Sequence, residues 1–153
     1  MPNPAPLPRL AYFPVAFFSM VMGLAGLSIA WHKAAQVLAI GLPIAAILLG
    51  IATLAFLVLA SLYLTKLIRY REAVLKELAH PVQLNFFPTI AMSLLLLGIA
   101  TLEHWPGLAL GLWVIGATSQ LLLTLYVLNV WIHHERFEVH HVNPAWFIPV
   151  VGN

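Results

Sequence analysis

Seven histidines are the side chains of this sequence best able to do chemistry. Four of them form two pairs, His133-His134 and His140-His141, around Glu135 and Glu138, a grouping that raises a metal or haem site. The spacing argues against it. Helical ligand sets place donors one turn apart or on facing helices, whereas residues 135–139 separate the two pairs, and His32, His80 and His104 fall at the ends of apolar runs. No second carboxylate-rich segment completes a di-iron centre. We read the histidines as interfacial or solvated and expect no cofactor and no metal site; pH sensing or a membrane redox subunit is the alternative use. With no cysteine, thiolate ligation and a thiol nucleophile are excluded. No phosphate-binding glycine loop or Ser-His-Asp pattern is present, so no enzyme is expected. What remains is hydroxyl chemistry, from Ser19, Thr89 and Ser93, which suits weak contacts to a passing ion.

These groups sit in a chain of 153 residues that is 62% apolar and 8% charged, against roughly 25% charged in soluble domains. A mean hydropathy of +0.96 excludes both a soluble globule and a disordered chain. The net charge of +2 comes from scattered residues and is no nucleic-acid signal. Because lipid offers the backbone no partners, each long gap between charges reads as a membrane helix. We place spans near Tyr12–Trp31, Gly41–Leu64, Phe86–Leu102 and Gly107–Trp131, an all-α polytopic membrane protein. Arg9, Lys66, Arg69, Arg71, Lys76 and Arg136 fall on one side and Lys33 on the other, so the N-terminus is expected in the cytoplasm. Lys66–Leu78 mixes charges with Leu67, Ile68, Leu75 and Leu78, as a short interfacial helix or a solvated loop would. Ser28-Ile29-Ala30 has the small residues of a signal-cleavage site, but its run is too long for one and recurs later.

An offset of 74 superposes Phe13-Pro14 on Phe87-Pro88, Ser19 on Ser93 and Trp31 on Trp105. The repeat unit is a helical hairpin: hairpin 1 over about 8–66, a linker over about 67–80, hairpin 2 over about 81–132, a polar turn over 133–142 and the start of a fifth helix over 143–153. Phe147-Ile148-Pro149 offers a loose third copy. Ten residues, 144–153, are roughly half a crossing, so a truncated fifth span is expected. Parallel hairpin repeats commonly enclose a path along the membrane normal. Proline early in each odd span predicts a kink whose freed backbone faces protein or pore; a proline at the first helical position would instead cost little.

PRLAYFPVAFFSMVMGLAGLSIAW, HPVQLNFFPTIAMSLLLLG and NPAWFIPVVGN, in that order and spacing, resemble the tellurite-resistance/dicarboxylate transporter family, which includes the guard-cell slow anion channels and fungal malate permeases. The resemblance implies ten helices in five hairpins around a central anion pore, a homotrimer, and a chain corresponding to the N-terminal half. It makes Phe13, Pro14, Phe17, Ser19, Phe87, Pro88 and Ser93 pore-lining candidates on inner helices. The phenylalanine tied to gating in the family lies on the ninth helix, outside this sequence. The expected function is an anion channel or a C4-dicarboxylate/malate transporter in a bacterial cytoplasmic membrane. Its partners would be inorganic anions or small organic dicarboxylates and the lipid bilayer, not nucleic acid. A cytochrome-like redox subunit or a non-conducting scaffold are the rival classes. No Lys, Arg, Asp or Glu falls inside the four expected spans, so the pore is expected to be neutral. Gln120, Asn129 and the Gly107-xxx-Gly111 motif read as helix-packing features, and Trp31, Trp105, Trp131 and Trp146 as an interfacial belt.

Overall fold

The computed structural model describes residues 8–39, 43–133 and 147–151. They form α1 (Phe18–Leu38), α2 (Ile44–Arg69), α3 (Arg71–Ala79), α4 (Pro88–Thr101), α5 (Pro106–His133) and a short α6 (Ile148–Val151). Single 3₁₀ turns cover Arg9–Tyr12, Val15–Phe17 and Gln83–Phe86. Four stretches are long and apolar enough to cross a bilayer: Val15–Leu38, Ile44–Arg69, Gln83–Thr101 and Pro106–Ile132. The protein is all-α and polytopic, as its charge spacing predicts. Of the polar turn and fifth helix expected over 133–153, residues 134–146 and 152–153 lie outside the described residues; Ile148–Val151 is helical.

Two helices run past their expected ends, each for a local reason. The first continues from Trp31 to Leu38 and stops where Ala39 takes a left-handed conformation, φ 53°, with its N–H bonded to the Ala35 carbonyl. That is a common way to close a helix C-terminus. The second continues from Leu64 to Arg69, carrying Lys66 and Arg69 in its last turn, where cations complement the carbonyl end of the helix dipole. Tyr70, at φ −131° and ψ 47°, breaks it, and α3 restarts with Glu72 in its first turn. The charged segment is therefore a short helix set at a corner.

Helix α4 packs on α5 and on α1, and α1 packs on α2. Of the third span's apolar window 56% is buried, against 6% for the second and 22% for the fourth. Thus α4 sits inside while α2 and α5 turn apolar faces outward. Lipid tails are as apolar as these side chains, so association rests on close packing rather than on expulsion of water. One core cluster joins Val15, Phe18, Tyr63, Val74 and Phe87 at the α3 end. Within it Phe18 and Tyr63 meet edge to face at 6.1 Å, and Tyr63 and Phe87 at 6.2 Å. A second cluster joins Val21, Ala25, Ala52 and Leu97 toward the middle of the bundle.

The close approach of α4 and α5 uses glycines other than the expected pair. Gly107 and Gly111 have open space where a Cβ would lie, so their GxxxG spacing plays no part in the packing of α4 on α5. A Cβ at Gly98 would instead stand 3.3 Å from the Ala109 carbonyl, and one at Gly116 3.0 Å from Leu95 Cγ and 3.2 Å from the Ala91 carbonyl. The reason is register: only Gly98 and Gly116 lie where the two backbones meet. Gly116→Val is expected to destabilise the protein by about 1–3 kcal/mol through overpacking, while Gly111→Ala stays within about 0.5 kcal/mol. Thermal unfolding of the two variants in detergent measures the difference.

Candidate functional site

The sequence repeat converges on the two places where proline stands just before or at the start of α1 and α4. Pro14, at φ −82° and ψ 142°, is extended between the 3₁₀ turns Arg9–Tyr12 and Val15–Phe17. Pro88 is the first residue of α4, directly after the 3₁₀ turn Gln83–Phe86. Neither proline lies in a helix interior, so the kinks expected in the early turns are corrected to breaks at helix starts, the alternative reading of these prolines. Proline needs no N–H partner there, and its ring meets no preceding helical turn. Pro149 likewise falls in the first turn of α6.

Around these breaks the candidate residues divide. The Phe13 and Phe17 rings lie 5.0 Å apart, Phe17 being 39% exposed, and Pro14 is half-buried beside them. Ser19 is exposed and its hydroxyl donates to the Ala16 carbonyl at 2.7 Å. Phe87, Pro88 and Ser93 are buried. Ser93 Oγ is shared between its own helix, at the Thr89 carbonyl (2.6 Å), and the Phe18 carbonyl of α1 (3.2 Å). Thr89 donates to the Phe86 carbonyl. The structure thus brings Phe13 to Phe17 and Ser93 to α1, and leaves Ser19 on an outward stripe with Met20, Gly23 and Leu27.

Sequence reading missed the most polar feature of the site. Lys66 is fully buried one turn before the α2–α3 corner. Its ammonium donates to the Phe13 carbonyl at 2.7 Å, pairs with Glu77 Oε1 of α3 at 3.0 Å, and stands 5.4 Å from the centre of the Tyr63 ring. Tyr63 Oη donates to Glu77 Oε2 at 2.8 Å. The ammonium and both carboxylate oxygens therefore have partners. Among the described residues Lys66 and Glu77 are the only buried charges. Two spacings carried the signal: Tyr63 and Lys66 one turn apart on α2, and Val74 and Glu77 one turn apart on α3, all four buried. Charge counting treats Lys66 as a membrane boundary and so hides them.

Gln120 Nε2 and Thr124 Oγ1 of α5 both donate to the Pro149 carbonyl, at 3.1 and 2.8 Å. Gln120 therefore bonds across helices, the use expected of it. At the opposite end of the bundle His32 Nε2 lies 2.9 Å from Glu103 Oε2 and 3.0 Å from Gln36 Nε2, all exposed to solvent. No group of three His, Asp or Glu side chains with metal-binding geometry occurs among the described residues. The cluster His134, His140 and His141 with Glu135 and Glu138 lies outside the described residues.

The sequence profile of the voltage-dependent anion channels matches residues 12–153. An uncharacterized transporter of Methanocaldococcus jannaschii is 34% identical over 142 residues, covering 92% of this chain and 42% of that protein. The S-type anion channel SLAH3 of Arabidopsis thaliana is 31% identical over 166 residues, covering all of this chain and 25% of the relative. A tellurite resistance protein TehA homolog of Haemophilus influenzae is 30% identical over 140 residues, covering 91% and 42%. The chain spans 42% or less of these relatives' length, and matches their N-terminal part.

Single removals from the buried cluster leave a charge unpaired, so Lys66→Met and Glu77→Gln are each expected to cost about 3–5 kcal/mol. The double variant Lys66→Met/Glu77→Leu, which removes both charges but takes the partners from the Phe13 carbonyl and the Tyr63 hydroxyl, is expected to cost about 1–3 kcal/mol, far less than the sum of the two single variants. Thermal midpoints of the full-length protein in detergent check this non-additivity.

Proposed function

The chain belongs to the voltage-dependent anion channel family, and from that premise we propose that it forms the N-terminal part of a channel for small monovalent anions. Its N-terminus and the α2–α3 corner lie on the cytoplasmic side, where Arg9, Lys66, Arg69, Arg71 and Lys76 gather. The whole protein is a ring of helical hairpins in a cytoplasmic membrane, assembled as a trimer. The open flanks of Gly107 and Gly111 suit close packing of neighbouring subunits.

One observation carries the ring. Helix α4 packs on α1 through Ser93 and Leu97, which touch the Phe18 carbonyl and the Val21–Ala25 cluster. By the 74-residue repeat, the matching positions of α1 are Ser19 and Gly23, and both are exposed. A further inner helix seats on that face as α4 seats on α1, and repetition of the step closes a ring. The conduit it encloses is lined by neutral groups, since neither Leu10–Trp31 nor α4 holds a Lys, Arg, Asp or Glu. Neutral lining binds ions weakly enough to release them, which suits a channel better than a coupled carrier. It also lacks the paired cations that would hold a dicarboxylate, so chloride and nitrate are preferred over malate.

Full-length protein in planar bilayers is expected to pass chloride and nitrate with ohmic current and malate poorly. Saturable, ion-coupled malate uptake would assign a carrier instead, and no flux of any of the three from well-folded protein would remove the transport reading. The ring makes a separate prediction from two glycines that both face open space. Gly23→Trp is expected to abolish recovery of monodisperse full-length protein, because an inner helix needs that face, whereas Gly50→Trp on the outward α2 leaves recovery unchanged. Size-exclusion profiles compare them.

A further inference from the structure

The buried Lys66 has no task in a neutral, weakly binding conduit. A buried ion pair is seldom more stable than a well-packed apolar pair, so stability alone does not account for it. Its position suggests another use. In a continuous helix the Phe13 carbonyl would take the N–H of Phe17, but Phe17 N bonds to the Pro14 carbonyl instead, at 3.3 Å. Proline supplies no N–H of its own. The Phe13 carbonyl is thus freed by the break, and without Lys66 it would stand unpaired just before α1. Such a group attracts cations and repels anions, as carbonyl rings do in cation filters.

We propose that Lys66 is a specificity-determining residue that cancels this carbonyl, with Glu77 and Tyr63 holding it in place. The pair is electrically neutral as a whole, but it is oriented. The ammonium reaches the Phe13 carbonyl at 2.7 Å, while the carboxylate lies on the α3 side, held by Tyr63. The positive end of the dipole faces the start of the first inner helix. Its effect on a passing anion is therefore local, and does not depend on the net charge of the protein. Uncharged donors make similar bonds to α1 and α6. Ser93 from α4 donates to the Phe18 carbonyl in the first turn of α1, and Gln120 and Thr124 from α5 donate to the Pro149 carbonyl in α6. Donors from a neighbouring helix thus occupy backbone carbonyls near the start of the inner segments. Lys66 serves the one that proline frees.

The inference rests on the anion-channel reading, and the closing experiment separates the two. Reversal potentials of the full-length protein are measured in planar bilayers under a potassium chloride gradient. The wild type is compared with Lys66→Met/Glu77→Leu, which keeps the site packed, and with Lys66→Arg, which keeps the charge. The double variant is expected to remain folded, as its thermal midpoint checks, yet its chloride-to-potassium permeability ratio falls about tenfold, as expected when an oriented ion pair acting at short range is lost. Lys66→Arg retains most of the wild-type ratio. An anion-selective wild type beside a folded and equally selective double variant would overturn the role of Lys66 while leaving the channel reading intact. A wild type that passes no chloride would overturn the channel reading, and this role with it.

Discussion

A backbone carbonyl inside a bilayer must find a donor, because lipid supplies none. That constraint organises this protein more than any single apolar contact. In the long helices α2 and α5 the ladder of i to i−4 bonds meets it without help, and their side chains are left to face outward. Just before α1 the residue Pro14 interrupts that ladder and frees the Phe13 carbonyl, and another part of the chain supplies what is missing. Lys66 does so, and Ser93, Gln120 and Thr124 likewise reach a carbonyl on an element other than their own. Because the carbonyls lie near the breaks and the donors lie on neighbouring helices, these bonds also fix how the helices stand against one another.

The helices were legible in the sequence because charge is so costly in lipid that its absence marks a span. The ends were less so, since a helix extends as far as its last polar groups find water or a partner. Lys33 lies in the last turns of α1, where it is exposed and bonded to Gln36. Lys66 is the opposite case. Its charge reads as an aqueous boundary, yet Glu77 compensates it from eleven residues away across a corner, and the helix passes straight through. Only the tertiary fold brings those two groups together.

The candidate site shows the same division. An offset of 74 picked out Ser19 and Ser93 as equivalents, and both serines donate to backbone carbonyls in the structure. Equivalence of position did not carry equivalence of surroundings: Ser93 is buried against α1, while Ser19 has no neighbouring helix among the described residues. A repeat records what each unit is made of, whereas exposure depends on how many units stand beside it. The prolines make a related point. A Phe-Pro pair within an apolar run is compatible with a kink or with a helix start, and the choice depends on where the preceding chain turns, which here is set by the 3₁₀ segments Arg9–Tyr12 and Gln83–Phe86.

The cluster of Lys66, Glu77 and Tyr63 also ties the membrane-crossing helices to the polar helix at the α2–α3 corner. Helix α3 is the most polar helix of the described residues, with Arg71, Glu72, Lys76 and Glu77 in nine positions. It is anchored by Val74 in the aromatic cluster and by Glu77 on Lys66. Phe18 and Tyr63 continue that anchorage into the bundle. A displacement of α3 would leave the Lys66 ammonium without its counter-charge in a dry setting, which is costly. It would also disturb the Phe13 carbonyl at the start of the first inner helix. The short polar helix α3 and the break before α1 are therefore one mechanical unit, coupled through a single buried ammonium group.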